Sequence, residues 1–330
     1  MQTGAYGARS AHGGELADAA RLVGEPASPW LDLSTGINPY PYPAHIPDIA
    51  LTRLPQQRDL DRLLEAARRA YRVPDEVALV AAPGTQAIIS WLPRLLRPRH
   101  VTVLGPTYGE HAAAWSGHVP LREASRLPPD GLAIVVNPNN PDGRVVSRDE
   151  LAAFVHRSCE EVALVVDEAF GDLDPGATAA ELPRTLVLKS FGKFFGLPGL
   201  RLGFAVGPTA VVDALRDALG PWAVSGPAIA VGVQALEDEA WAQAMRLTLR
   251  AERARLDDVL AAAGLAVAGG TDLFRLVAVD DAPVWQGALA AEGVWTRAFD
   301  HTPCWLRVGL PGHRLGELVR ALASAGAARR

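Results

Sequence analysis

The chain has 330 residues, of which 49% are apolar and 21% charged, with a net charge of −5. This composition is typical of a globular chain large enough for two lobes, and it argues against a nucleic-acid-binding or anionic-membrane-binding surface. Two cysteines are too few for a disulfide framework or a metal cluster. We see no secretory signal or membrane-spanning segment, so we expect a soluble, cytoplasmic protein with no metal site.

The predicted elements begin after a Gly-, Pro- and Ser-rich stretch. Residues 1–45 show little periodicity and predict an extended arm rather than a packed element. A helix is expected over about 57–71. Apolar strands follow, separated by helices, at 77–80, 101–104, 133–136, 162–166, 185–188 and 202–206. Ser147 and Glu150 predict a capping box at the start of one of these helices.

From about residue 208 the pattern is helical as far as about 263, and from 273 it alternates strand and turn. The whole predicts an α/β fold with a mostly parallel central sheet sandwiched by helices and a smaller α+β C-terminal domain. We expect an arm over 1–45 that joins the small domain, a large domain over 46–210 and a small domain over 211–330.

Polar residues follow directly after several predicted strands. Ligands gather at the carboxyl ends of parallel strands, so these residues are expected to converge on one crevice. They are Thr85, Asn140, Asp167 and Lys193.

The chain has 30 arginines and only two lysines, Lys189 and Lys193. An arginine stays protonated, whereas a lysine can lose its proton and form a Schiff base with a carbonyl. The lysines are therefore the first places to look for amine chemistry. We expect Lys189 to be an ordinary surface residue, and Lys193 to be functional.

Lys193 lies among small residues, with Ser190 three residues before it and Arg201 eight residues after it. A lysine for a carbonyl, with an arginine and a serine for a phosphate, is typical of a pyridoxal 5′-phosphate (PLP) site. Asp167 ends an apolar strand, where a carboxylate is costly unless it is paired. It could pair with a protonated pyridine nitrogen, or it could cap a helix.

Two further segments suit the same cofactor. Asn140 lies in a segment with the composition of a turn, and its amide could also bind the ring oxygen. Gly84 and Thr85 lie between a strand and a helix, where free backbone N–H groups suit a phosphate.

A series of short motifs covers most of the chain. In order, they are Pro-Gly-Thr, Tyr, Asn-Pro-x-Gly, Asp, Ser-x-x-Lys, Arg and a late Arg. This series of motifs resembles that of the fold-type-I PLP enzymes, in the aminotransferase branch near histidinol-phosphate aminotransferase. The resemblance implies that Lys193 forms the Schiff base, Asp167 pairs with the pyridine nitrogen and Tyr108 stacks on the ring. It also implies a ring-oxygen contact from Asn140, phosphate contacts from Gly84, Thr85, Ser190 and Arg201, and substrate-anion contacts from Arg307 and Arg297.

Three positions depart from that pattern. Asp142 stands where threonine is usual, and Phe170 replaces a tyrosine that often binds the ring oxygen. Leu54 stands where many relatives have a tyrosine that reaches the partner subunit's cofactor. The resemblance still implies a homodimer, but Leu54 has no hydroxyl with which to make that shared contact.

The opening of the chain favours one reaction. Three segments resemble those of the threonine-phosphate decarboxylases of cobalamin biosynthesis. They are His12-Gly13-Gly14-Glu15, the segment from Leu31 to Pro39, and Asp167-Glu168-Ala169-Phe170. These convert L-threonine O-3-phosphate to (R)-1-amino-2-propanol O-2-phosphate and carbon dioxide. His12 and Asn38 would then help to bind the substrate phosphate.

Two alternatives stay open. An aminotransferase acting on histidinol phosphate or a similar amine shares all these parts, and differs only in which bond at Cα is held perpendicular to the ring. A non-catalytic PLP-fold binding protein is the other. In the decarboxylase, Lys193 or Tyr108 would return a proton to Cα. The expected partner is a small phosphorylated amino acid, with no nucleic acid and no membrane.

Overall fold

The computed structural model describes residues 12–327, which form two compact units. One comprises residues 40–247, and the other residues 12–39 with 248–327. The sequence placed the divisions at 45 and 210 instead. The helix Thr209–Leu219 belongs to the first unit because Val211, Val212 and Leu215 are part of a core cluster shared with the sheet.

Residues 40–247 contain a seven-stranded sheet. Gly203–Gly207 is antiparallel to both its neighbours, and all the other pairings are parallel. In spatial order the strands are Ala78–Ala82, Gly203–Gly207, Thr185–Ser190, Leu164–Asp167, Leu132–Val136, Val101–Leu104 and Leu121–Ala124. The last was not predicted, because an edge strand with exposed Arg122 and Glu123 lacks an apolar run.

The helices of this unit pack around that sheet. Ser147 accepts a hydrogen bond from the Glu150 backbone N–H (3.3 Å) and Glu150 accepts one from the Ser147 N–H (3.1 Å), so the predicted capping box is confirmed. The helices are Asp48–Thr52, Gln57–Ala70, Thr85–Leu95, Glu110–Trp115, Arg148–Arg157, Phe191–Phe194, Thr209–Leu219 and Gly226–Glu237. A further helix, Glu239–Ala262, contains the boundary between the units.

The other unit has a four-stranded antiparallel sheet in the order Arg297–Phe299, Thr302–Gly309, Phe274–Ala278 and Ala266–Thr271. A two-stranded parallel sheet pairs Leu31–Asp32 with Val294–Trp295. The predicted α/β class with a mostly parallel central sheet and an α+β second region is confirmed. No helix in the described part of the chain is both long and apolar enough to cross a membrane.

The prediction that the opening residues form no packed element was wrong. Leu16–Val23 is a helix, and its buried Ala19 packs with Ala290 and Trp295. Leu16, Ala19 and Leu22 recur at a spacing of three, which gives this short helix one apolar face. The reading of the final segment was incomplete, since it also contains the helices Ala282–Ala291 and Leu315–Ala327.

Candidate active site

The polar residues predicted to converge do so. A cavity of about 180 Å³ lies where the strands Leu132–Val136, Leu164–Asp167 and Thr185–Ser190 end. Its lining includes all eight residues that the sequence analysis assigned to the cofactor: Gly84, Thr85, Tyr108, Asn140, Asp167, Ser190, Lys193 and Arg201. Their individual roles toward a cofactor stay predictions.

One end of the cavity has groups that suit an anion. Gly84 (φ +85°) precedes the 11-residue helix Thr85–Leu95, whose first backbone N–H groups are unpaired within the helix. A Cβ atom on Gly84 would lie 2.7 Å from Nη2 of Arg201, so only glycine lets this guanidinium come so close. A phosphate dianion would fit between the N-terminus of this helix, the Arg201 guanidinium and the Ser190 hydroxyl.

Asp167 is buried and fixed from two sides. Its Oδ2 is 2.8 Å from Nε2 of His111, and its Oδ1 accepts the backbone N–H of Ala169 at 3.0 Å. Because an ionised carboxylate only accepts, His111 donates from Nε2. No sequence motif pointed to His111. Its spacing of three from Tyr108, across the start of a helix, is the signal that could have found it.

Tyr108 lines the cavity as a neutral phenol. Its hydroxyl donates to Oε1 of Gln86 at 3.2 Å, and Gln86 donates in turn to Glu110 at 3.0 Å. Burial, with smaller contributions from Glu110 and Asp167, raises the pKa of Tyr108 to about 12. At neutral pH this hydroxyl therefore keeps its proton.

The turn that carries Asn140 is held by its neighbour. Asn139 accepts from the Thr107 hydroxyl at 2.6 Å and donates to Asp142 at 2.7 Å. The Asp142 carboxylate also accepts the Arg144 N–H at 3.0 Å, so it stabilises the turn. Phe170, a second departure from the family pattern, lines the cavity with a ring that has no hydrogen-bond donor.

The two lysines have different surroundings. Lys193, on the short helix Phe191–Phe194, lines the cavity. The expectation that Lys189 lies on the surface was wrong, because its side chain is only 3% exposed and forms an ion pair with Glu168. A buried lysine is stable in its charged form when a carboxylate partner is buried beside it.

The residues predicted to bind substrate lie in the other unit, where two arginines form a cationic cluster. Arg297 and Arg307 face each other in the antiparallel pairing of Arg297–Phe299 with Thr302–Gly309. Both guanidiniums lie over the Phe299 ring, with centroid distances of 5.7 and 5.8 Å. Like charges opposite each other in a sheet repel, so a bound anion would stabilise this pair.

Backbone carbonyls from the opening segment complete the cluster. Arg307 donates to the carbonyl of Ser34, and Arg297 donates to the carbonyl of His12 at 3.2 Å. Burial, reinforced by Arg297, lowers the pKa of Arg307 to about 10, while Asp32 opposes this shift. Arg307 is therefore still charged at neutral pH. Asn38 is 2% exposed, whereas His12 is exposed.

Comparison with known proteins identifies close relatives. The aminotransferase class I and II family matches residues 121–324. A threonine-phosphate decarboxylase from a Sinorhizobium species is 44% identical over 327 residues, covering 95% of this chain and 96% of the relative. A threonine-phosphate decarboxylase from Pseudomonas aeruginosa is 43% identical, covering 91% and 92%.

Among solved structures, the histidinol-phosphate aminotransferase from Sinorhizobium meliloti in complex with pyridoxal-5′-phosphate matches with a TM-score of 0.74. It is 18% identical, and the match covers 91% of this chain and 92% of that one. At this identity, the likeness shows the fold alone.

Proposed function

Because the chain belongs to the aminotransferase class I and II family, we propose that it is a PLP-dependent decarboxylase of L-threonine O-3-phosphate. Its products would be (R)-1-amino-2-propanol O-2-phosphate and carbon dioxide. The observation that carries the proposal is the 44% identity to a threonine-phosphate decarboxylase over 95% of the chain. The convergence of eight predicted residues on one cavity supports the cofactor.

The cavity fits PLP by the chemistry of its lining. Gly84, Thr85, Ser190 and Arg201 would hold the phosphate, and Asn140 would bind the ring oxygen. Asp167, already oriented by His111, would hold a proton on the pyridine nitrogen. When bound, the cofactor supplies an electron sink for the bond that breaks at Cα.

The cationic cluster supports an anionic substrate. In our proposal Arg307 binds the substrate carboxylate, and Arg297, with His12 and Asn38, binds the substrate phosphate. A guanidinium can bind either group through two parallel hydrogen bonds. Positioning of this kind supplies roughly 7–11 kcal/mol in favourable cases, so it is a large part of the lowering of the barrier.

The reaction balances with one proton. The bond between Cα and the carboxylate carbon breaks and carbon dioxide leaves, and Cα then gains a proton. We assign delivery of that proton to the Lys193 ammonium group rather than to Tyr108. Tyr108 has a pKa raised to about 12 and already donates its proton to Gln86, so its role is to contact the cofactor ring.

The homodimer expected from the family resemblance also stays a proposal. Six large apolar side chains of residues 40–247 are more than half exposed, and burial of such side chains is a usual feature of subunit interfaces. They are Ile49, Leu51, Leu54, Val145, Trp222 and Leu247. Sedimentation equilibrium would test the dimer. The cytoplasmic location and the place in cobalamin biosynthesis remain predictions.

The test of the function is release of carbon dioxide from L-threonine O-3-phosphate by the purified protein with PLP and no keto acid. We expect release by the natural protein and none by Lys193→Ala. Turnover that occurs only after addition of a keto acid would instead identify an aminotransferase. Retention of full activity in Lys193→Ala would refute a catalytic role for this lysine.

A further inference from the structure

The ion pair between Glu168 and Lys189 lies one residue from the candidate cofactor contacts. Lys189 directly precedes Ser190, and Glu168 directly follows Asp167. Because side chains alternate along a strand, Lys189 points away from the face on which Ser190 lines the cavity. The pair therefore lies behind the two strand ends that carry Asp167 and Ser190.

Glu168 connects three segments of the chain. Its backbone N–H donates to the carbonyl of Leu188 at 2.9 Å, on the neighbouring strand. One carboxylate oxygen binds Lys189, and the other accepts the Ala179 N–H at 2.7 Å and the Thr178 hydroxyl at 3.3 Å. The position of Glu168 is thus fixed both by the neighbouring strand and by the loop that carries Thr178 and Ala179.

The surroundings leave this pair little freedom. Nζ of Lys189 lies 5.2 Å from the centroid of the Tyr71 ring, within range of a cation–π contact. A Cβ atom on Gly171 would be 3.0 Å from Cβ of Glu168 and 3.4 Å from Nζ of Lys189. A larger residue at 171 would therefore displace one of the two charged side chains.

A buried ion pair is weak evidence for stability, because apolar residues of similar volume often replace such pairs without loss. What the pair does supply is a fixed geometry. We propose that Glu168 and Lys189 are positioning residues that hold Asp167 and Ser190 in the arrangement that PLP requires. This inference rests on the proposed cofactor use.

A second pair has the same relation to the cavity. The hydrogen bond from Thr107 to Asn139 joins the neighbours of Tyr108 and Asn140. Side chains that do not line the cavity thus connect adjacent strand ends at two places. Such supporting contacts are what keep contact residues in a productive geometry.

The test compares the natural protein with Glu168→Gln and with the double variant Glu168→Gln/Lys189→Met. Glutamine keeps an oxygen for the Ala179 N–H, and methionine fills the volume of the lysine side chain, so the double variant removes both charges of the pair together while Asp172 keeps the nearby Arg246. Three quantities would be measured: the dissociation constant of PLP, the visible circular dichroism of the PLP-saturated protein, and urea unfolding of the PLP-free protein.

The matched control is Arg148→Met/Glu181→Gln, which removes an ion pair of the same unit whose side chains are about half exposed. We expect this control to match the natural protein in all three measurements. For the double variant we expect PLP binding weakened roughly 10-fold, by analogy with the outer-shell partners of metal ligands, and an altered dichroism at saturation.

Dichroism at saturation reports cofactor geometry in folded molecules whatever their stability. A double variant with the natural dissociation constant and dichroism would overturn the positioning role, even if its unfolding changed. A natural protein that binds no PLP would overturn both this inference and the proposed function. Binding by the natural protein with no change in the variants would overturn the inference alone.

Discussion

The cavity in residues 40–247 and the cationic cluster in the other unit differ in the mixture of charged groups they present. In the cavity, Asp167 is paired with His111. In the cluster, Arg297 and Arg307 face each other across an antiparallel register, so two like charges are adjacent. The cavity lining combines the acid Asp167 with Arg201 and the Lys193 amine, which suits a group that has both a basic nitrogen and a phosphate, whereas the cluster presents guanidiniums to an anion. Variants of the two regions should therefore have different effects.

The largest effect is expected at Lys193. We expect Lys193→Ala to lower kcat by roughly 10³–10⁴-fold, the upper range for removal of a group that moves a proton. Borohydride reduction followed by mass spectrometry should fix the cofactor on the natural protein and not on this variant. At saturating PLP the control variant Lys189→Met should still gain the mass of the cofactor after reduction. Labelling of Lys189 in the natural protein would contradict the account.

The cluster predicts a different kinetic signature. We expect Arg307→Met to raise KM for threonine phosphate about 100-fold, because loss of a buried charged partner costs about 3 kcal/mol. The dissociation constant of PLP should not change. Arg250→Met, which removes an exposed arginine of the same unit, is the control and should leave both values unchanged. Weaker PLP binding in Arg307→Met would remove the distinction between the two regions.

Asp172 gives a stability effect with a defined pH window. Burial, partly opposed by Lys189 and Arg246, raises the pKa of Asp172 from 3.8 to about 6. A raised acid pKa contributes stability that is present below about pH 4 and lost as pH rises through 6. An asparagine side chain is neutral, like the protonated Asp172, so the variant does not lose stability as the pH rises. Asp172→Asn should thus be more stable than the natural protein at pH 7, by at most about 3 kcal/mol, from 1.36 kcal/mol per pKa unit.

Urea unfolding at pH 4 and pH 7 measures this difference. We expect the two proteins to be nearly equal at pH 4 and to differ at pH 7. Equal stability at both values would mean that the Asp172 carboxylate is better compensated by Lys189 and Arg246 than its pKa indicates.

Tyr108 should give the smallest effect. Its hydroxyl keeps its proton and donates to Gln86, so Tyr108→Phe retains the ring and loses one hydrogen bond. We expect kcat to fall less than about 10-fold, since loss of a proton-transferring group typically costs 10²–10⁴-fold. Steady-state kinetics measures this change. A fall in kcat of more than 100-fold would indicate that Tyr108 is the proton donor.

Most of the cavity was predictable because most of its residues follow the carboxyl ends of strands, although Arg201 precedes the antiparallel strand Gly203–Gly207. Apolar runs mark the strands, and the polar residue after each run marks the site, as Asp167 after Leu164–Val166 illustrates. His111 was missed because it supports Asp167 from a helix and lies in no recognisable motif. Lys189 was misjudged because its partner, Glu168, is 21 residues away, and sequence alone does not place them together.

The opening segment was harder to read for a physical reason. Leu16–Val23 is a short helix that depends on tertiary contacts with Ala290 and Trp295, about 270 residues later. The pairing of Arg297 with Arg307 likewise depends on a strand register that neither motif reveals. Short elements stabilised by distant contacts carry little local signal.

The central claim is that this chain removes carbon dioxide from its substrate and returns a proton to the same carbon. The most direct measurement is turnover of L-threonine O-3-phosphate in deuterated water with PLP and no keto acid, with products identified by mass spectrometry. We predict one carbon dioxide for each substrate consumed and one deuterium on the carbon that bears the amine. A product that keeps the carboxylate and has lost the amine would contradict the account.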